Sequence, residues 1–310
     1  MADEVEKPKR GDEEISGAPD EVEYGAPMDE APRRERSRSS LWPLYVAGGC
    51  MALCCLCCFL PICLLAATGA GMAAILSNSE VTRVDTQTLT VDPSTPVTLN
   101  VDGTSGSITV RHGGSDSDVI VSSTKRAHGW TKSAAEKELD NITVDIQQPD
   151  NGNDITISVN TDRRENSFWF LANQVDLTIT VPESVELLLQ NNTGSINVSG
   201  VQARALDIQT NTGSVTFDGE IQPNPNQTFS IQTNTGSITV NLPASTSVKV
   251  DARADVGSVT VGSSFDHITD VNEDHSGVGA TWSGTLNDNN EDMPTLRLHT
   301  NTGSVTINAQ

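Results

Sequence analysis

From Leu99 onward the chain alternates apolar and polar residues in short bursts, and one small polar phrase interrupts them again and again. Six stretches share the arrangement: LNVDGTSGSITV from Leu99, LLLQNNTGSINV from Leu187, LDIQTNTGSVTF from Leu206, FSIQTNTGSITV from Phe229, VKVDARADVGSVTV from Val248 and LRLHTNTGSVTI from Leu296. A period of two marks a strand with one buried face. In the third copy Leu206, Ile208, Val215 and Phe217 fall on one side, and Asp207, Gln209, Ser214 and Thr216 on the other. Between the strands, Asn211, Thr212, Gly213 and Ser214 tolerate left-handed backbone or bond their own main chain, so the chain can turn there.

The turn glycines are Gly106, Gly194, Gly213, Gly236, Gly257 and Gly303, and from Gly194 their spacings are 19, 23, 21 and 46 residues. A period of about 20 residues is the length of one coil in a stacked β architecture, and the last interval holds about two periods because segment 263–294 intervenes. A hairpin meander would also use these turns, but any Asn-Gly pair would serve it, whereas a stack gives the whole tetrad a reason to recur. The pattern therefore predicts an all-β fold, a single-stack β-solenoid in which each coil pairs with the next in sequence. Asn192, Asn211, Asn234 and Asn301 would form one corner column and Thr193, Thr212, Thr235 and Thr302 the next, with side chains bonding along each ladder. The degenerate copies at Gly106 and Gly257 suit coils near ends or interruptions.

One short helix is predicted from Ser133 to Asp140, with Ser133 and Glu136 as a capping box and Ala134, Ala135 and Leu139 as helix formers; it would close the N-terminal end of the β core.

The first third reads differently. Residues 41–76 contain no charged side chain, and about 20 apolar residues already span a bilayer as a helix. One transmembrane helix is predicted here, tilted or kinked at Pro61. Arg33, Arg34, Arg36 and Arg38 precede it, and only Arg83 follows closely, which keeps the N-terminus in the cytoplasm. The run is too long for a cleaved signal peptide, so it reads as a signal anchor. Residues 1–40 carry twelve acidic and seven basic side chains without any apolar period, the composition of a disordered cytoplasmic tail. The predicted division is 1–40 tail, 41–76 anchor, 77–95 stalk and 96–310 ectodomain.

Composition narrows the function. The chain has 41 acidic and 19 basic residues, a net charge of -22, and this excludes a nucleic-acid role. All six cysteines (Cys50, Cys54, Cys55, Cys57, Cys58 and Cys63) lie in the apolar run, leaving no thiol for a disulfide or zinc site in the β region. Those nearest the surface are acylation candidates. His112, His128, His267, His275 and His299 are dispersed, none in a catalytic motif, and no nucleophile and base pair can be named. The reading is a protein that is not an enzyme and has no cofactor.

The order of these parts resembles the bacterial and archaeal family of adhesin-labelled domains of unknown function, built as a β-solenoid. The resemblance covers residues 96–310 and rests on three features: the Gly-Ser-Ile/Val strand pairs, the strand VDLTITVP from Val175 that leads into the first regular coil, and the short helix. It implies a surface or envelope location and brings no catalytic residue.

Segment 263–294 departs from the plain pattern. It concentrates Asp266, His267, Asp270, Glu273, Asp274, His275, Trp282, Asp288, Glu291 and Asp292. Carboxylates are oxygen donors that suit calcium, which makes Asp288, Glu291 and Asp292 weak calcium candidates, although the segment carries no known calcium signature and is by default a solvated loop. Asn141, Asn191, Asn197 and Asn226 head glycan-acceptor triplets. Phe168, Trp169 and Phe170 read as an end cap or a docking patch. The last coil is expected to leave an open edge, available for self-association through the C-terminal coil or else protected by segment 263–294.

Together these readings predict a single-pass cell-membrane protein with its C-terminal domain outside, a non-enzymatic module for adhesion or for binding an envelope polymer or glycan. The alternatives are an envelope-stress sensor reporting through the tail and a polysaccharide-active β-helix enzyme.

Overall fold

The computed structural model describes residues 79–129, 131–161, 173–222, 224–275, 277–287 and 293–310. The tail, the apolar run with its six cysteines, and Phe168, Trp169 and Phe170 lie outside the described residues. Among the described residues no helix is long and apolar enough to cross a membrane.

β1 (Glu80–Thr90), β2 (Val97–Ser105), β3 (Ile108–His112) and β4 (Asp118–His128) precede helix α1 (Lys132–Asp140), and β5 (Ile142–Gln147), β6 (Asp154–Thr161) and β7 (Gln174–Val181) follow it. The regular array is β8 (Ser184–Thr193), β9 (Ile196–Thr212), β10 (Val215–Ile221), β11 (Thr228–Thr235), β12 (Ile238–Leu242), β13 (Val248–Val256) and β14 (Val259–Val261). β15 (Ile268–Asp274), β16 (Ala280–Leu286), β17 (Thr295–Thr302) and β18 (Val305–Ala309) come last.

The strands hydrogen-bond in two layers. One runs β5, β6, β2, β8, β9, β11, β17, β13, β16, β15. The other runs β1, β4, β7, β3, β9, β10, β12, β18, β14. β9 is long enough to serve both, pairing with β3 and β10 through its first half and with β8 and β11 through its second. Parallel pairs fill the middle of each layer; antiparallel pairs finish both ends of the first layer and the β1 end of the second, whose other end is the parallel pair of β18 and β14. The alternation predicts the interior as it stands: Leu206, Ile208, Val215 and Phe217 are all buried, and each such side chain contributes about 1.5–3 kcal/mol by leaving water.

The order of coils departs from the order of the chain. β17 sits between β11 and β13, and β18 between β12 and β14, so the last copy in sequence is the next-to-last in space. The expectation that each coil pairs with its successor fails at this step. The chain passes from β14 through β15 and β16 at the far edge, and that detour supplies the length to return inside the stack. The expected open edge at the C-terminal coil is therefore absent, since both of its strands have neighbours on either side. Segment 263–294 instead covers β13: β16 pairs with it from Val248↔Leu286 to Ala254↔Ala280.

Two smaller expectations are corrected. The stretch expected as a stalk contains β1, paired with β4 from Glu80↔His128 to Thr90↔Asp118, because its Val and Thr residues favour a pleated surface. The helix begins one residue earlier than predicted, with Thr131 as its N-cap, φ −137°, its hydroxyl accepting from the Ala134 amide at 3.2 Å. Ser133 thus lies inside the first turn and closes no capping box. Ala135 and Leu139 are buried against the strands.

Candidate functional site

Where each coil turns from one layer to the other, the corner phrases stack. Gly194, Gly213, Gly236, Gly257 and Gly303 have φ between 131° and 152°. Each also lies against its neighbour's backbone: a Cβ on Gly213 would stand 2.0 Å from the Gly194 carbonyl oxygen, and one on Gly236 2.0 Å from that of Gly213. The main chain bonds straight across, Gly194 N to Thr212 O at 2.8 Å, Gly213 N to Thr235 O at 2.8 Å and Gly236 N to Thr302 O at 2.9 Å. At the far end Gly257 N donates to Val278 O, 2.9 Å away in segment 263–294.

The asparagines form the predicted ladder. Asn211 donates to Asn192 Oδ1 at 3.2 Å, Asn234 to Asn211 Oδ1 at 2.8 Å, and Asn301 to Asn234 Oδ1. The threonines beside them do not. Thr193, Thr212, Thr235 and Thr302 are exposed and in register, yet among the described residues no hydrogen bond joins their hydroxyls. A different column carries that bonding. Thr233 Oγ1 donates to Gly213 O at 2.9 Å and Thr300 Oγ1 to Gly236 O at 2.9 Å, each reaching the preceding coil, and both residues are buried. In the second copy Asn191 replaces the threonine, its Nδ2 donating to Gly106 O at 2.8 Å. The alternation held the clue: residues 210, 233 and 300 share parity with the inward apolar positions, so a threonine there must point inside.

Next to the asparagine column lies a second outward row, Asp102, Gln190, Gln209, Gln232, His299 and Arg253, placed opposite one another by the register of successive coils. From Asp102 to His299 this row, with the asparagines beside it, lines a shallow groove of about 550 Å³ that crosses the strands and follows the stack axis. Its middle is uncharged amide. Gln209 donates to Asp207 Oδ1 at 3.2 Å and Gln232 to Ser230 Oγ at 3.2 Å, and a side-chain amide offers two donors and a carbonyl, so capacity remains in each. At one end Asn191, buried, turns Nδ2 to the backbone and leaves Oδ1 without a partner. A Cβ on Gly103 would come within 2.8 Å of that oxygen and 3.1 Å of Ile108 Cδ1, so the glycine leaves room for the buried amide. At the other end His299 Nε2 lies 3.4 Å from Asp255 Oδ2. Arg253 hydrogen-bonds Asp255 at 2.6 Å, and this contact first, then His299, holds the Asp255 carboxyl below the ordinary aspartate range.

Segment 263–294 brings no comparable chemistry together. Asp266, His267, Asp270, Glu273, Asp274 and His275 are exposed, Trp282 is buried, and among the described residues no three metal-binding side chains converge. The calcium candidates Asp288, Glu291 and Asp292 lie outside the described residues. Of the glycan triplets, Asn197 and Asn226 are exposed, whereas Asn191 is buried at 6% exposure and cannot present its amide to a transferase.

Parallel coils, a glycine corner and one polar groove define a repeat-built β-solenoid. Residues 172–308 match the Toastrack DUF4097 family. The fold is similar to that of a Clostridium sporogenes protein provisionally named for cell adhesion, at 15% identity and a TM-score of 0.53 over 74% of this chain and 100% of that one. A Bacteroides fragilis protein provisionally named an adhesin aligns over 73% of this chain and 97% of its own, at 13% identity and a TM-score of 0.31. No curated protein matches the chain.

Proposed function

We propose that this is a non-enzymatic, surface-displayed binding module, anchored through residues 41–76, whose groove takes a neutral, hydroxyl-rich envelope polymer or glycan. The observation that carries this reading is the outward run of amides along Gln190, Gln209 and Gln232, each with hydrogen-bonding capacity left and repeated at the strand spacing of about 4.8 Å. Amides donate and accept, as hydroxyls do, so a chain of repeating hydroxyl groups can satisfy them row by row. Charge selects against the alternatives: residues 41–310 carry about -17 in all, which repels anionic polymers. The uncharged run at 41–76, with four arginines just before it, supports a single crossing with the tail inside. The adhesion name of the Clostridium sporogenes protein agrees with this reading.

The test is retention of the full chain, in vesicles, on neutral and on anionic polysaccharide from a cell envelope. Neutral material should retain it, and Gln209→Leu combined with Gln232→Leu should weaken retention about tenfold, the loss of one or two hydrogen bonds. Indifference to the double substitution, or preference for the anionic polymer, would refute the groove as the binding site.

A further inference from the structure

The two ends of the stack are finished differently. At the C-terminal end, edge strand β15 carries the devices that deter strand addition: a register shift between Thr269 and Asn272, Asp270 at φ 53°, and the charges of Asp270, Glu273 and Asp274. At the other end, β1 carries no bulge, proline or lysine. Among the described residues it pairs with β4 alone, in eleven uninterrupted positions. Its outer edge is roughly 37 Å of regular strand at about 3.4 Å per residue, and Val84 at its centre is 59% exposed.

We propose that this edge pairs with the same edge of a second copy, antiparallel, about a two-fold axis through Val84. In such a pair, opposed residues lie on one face, so their numbers must sum to an even value, and only a few registers are available. Centring on Val84 sets Arg83 opposite Asp85 on both sides of the axis, Thr82 opposite Thr86, and Val84 opposite its counterpart. Centring on Asp85 or Arg83 instead sets like charges face to face, which is unfavourable. The charges thus favour the Val84-centred register, which sets both Arg83–Asp85 pairs opposite each other. Both groups are accessible, with side chains 49% and 53% exposed. Their contacts within the chain, Arg83 to Asp140 at 3.2 Å and Asp85 to Lys125 at 3.1 Å, leave further donors and acceptors free.

A second copy is the occupant because the strand is complementary to itself in charge and because a closed two-fold pair covers the edge from Glu80 to Thr88 in both copies. The contact is small for association in free solution. Anchoring two chains in one bilayer raises their effective concentration toward the millimolar range, and only this gain in strength rests on the anchored reading; the register does not.

The experiment is energy transfer between donor- and acceptor-labelled full chains in phosphatidylcholine vesicles, measured across protein-to-lipid ratios. Arg83→Asp alone, or Asp85→Arg alone, should weaken association about tenfold, and the double exchange should recover most of it. Within one chain, the double exchange places Asp against Asp140 and Arg against Lys125, so recovery can come only from the partner. Circular dichroism confirms that each variant keeps its sheet. As an independent measurement, Val84→Cys should yield, on mild oxidation, a disulfide joining two copies of the peptide around residue 84, because opposed Cα atoms fall within the range that a disulfide spans. A wild-type chain that stays monomeric at every density overturns the proposal, as do single exchanges without effect, a double exchange no better than the singles, or capture of a different chain by this edge.

Discussion

Gly236 offers the sharpest perturbation of the stacked corner. An alanine there meets two obstacles. The first is the backbone: φ is 150°, a conformation L residues rarely adopt, and holding one in such a region costs about 1–3 kcal/mol. The second is contact, because the new Cβ would stand 2.0 Å from the Gly213 carbonyl oxygen. That oxygen is main chain in the neighbouring coil and already accepts from Thr233, so it cannot swing away as a flexible side chain could. Relieving the overlap means parting two coils, and forced packing of this kind adds about 1–3 kcal/mol. The sum, about 2–6 kcal/mol, is a large share of the 5–15 kcal/mol by which domains are stable.

A second glycine separates the two costs. Gly114 also has positive φ, 72°, but nothing lies within 4 Å of the Cβ it lacks. Gly114→Ala therefore carries the dihedral cost alone, about 1–2 kcal/mol. Urea unfolding of the full chain, followed by circular dichroism, should show Gly236→Ala at least about 1 kcal/mol worse than Gly114→Ala. Hydrogen exchange should show the excess as faster exchange at the amides of Gly213 and Gly236. Equal losses at the two sites would mean that the coils are not in contact through their glycines, and the stacked-corner account would fall.

Thr233→Val keeps volume but removes the donor to Gly213, and should cost about 1–2 kcal/mol in the same unfolding assay; Thr235→Val, exposed and unbonded, should stay within about 0.5 kcal/mol of the parent. In a host with the glycosylation machinery, peptide mass mapping should find modification at Asn197 or Asn226 and none at Asn191. Arg253→Gln should let the Asp255 carboxyl titrate closer to the ordinary aspartate value, measured by carbon NMR. The folded value is depressed, so whatever stability this group contributes is present above the unfolded value and fades as pH falls through the folded one; the variant should lose part of that acid-side dependence.

Much of this architecture was legible because its two strongest signals are local. Alternation places Leu206, Ile208, Val215 and Phe217 inside, and the Asn-Thr-Gly-Ser corner announces both the turn and the asparagine ladder. The buried threonine column was harder to see, since a polar residue at an inward position looks like the end of a strand until the neighbouring carbonyl that accepts its bond is known. The groove could not be read at all, because it depends on which outward rows become neighbours, and that is decided by the order of coils in space.

Yet the order itself left a trace in the quality of the copies. A coil inside the stack needs the corner side chains that reach its neighbours, and the copy at Gly303 has them: Thr300 and Asn301 reach back to Gly236 and Asn234, and Ser304 Oγ lies 3.2 Å from Ser258 Oγ on the other side. In the copy at Gly257 the equivalent residues are Ala254, Asp255 and Val256. Ala254 has no hydroxyl, Asp255 turns to Arg253 and His299, and Val256 is exposed at 47%. Such a copy can end a ladder but cannot continue one. The fully preserved copy at Gly303 therefore belongs inside the stack although it comes last in the chain, and the degraded copy at Gly257 belongs at the end although another follows it. If this logic holds, restoring the phrase at the end coil with Ala254→Thr and Asp255→Asn should extend both ladders by one step, Thr to Gly303 O and Asn to Asn301 Oδ1. Each new bond should add about 0.5–1.5 kcal/mol in urea unfolding; a neutral or destabilising result would show that the terminal corner departs from the geometry of the inner ones.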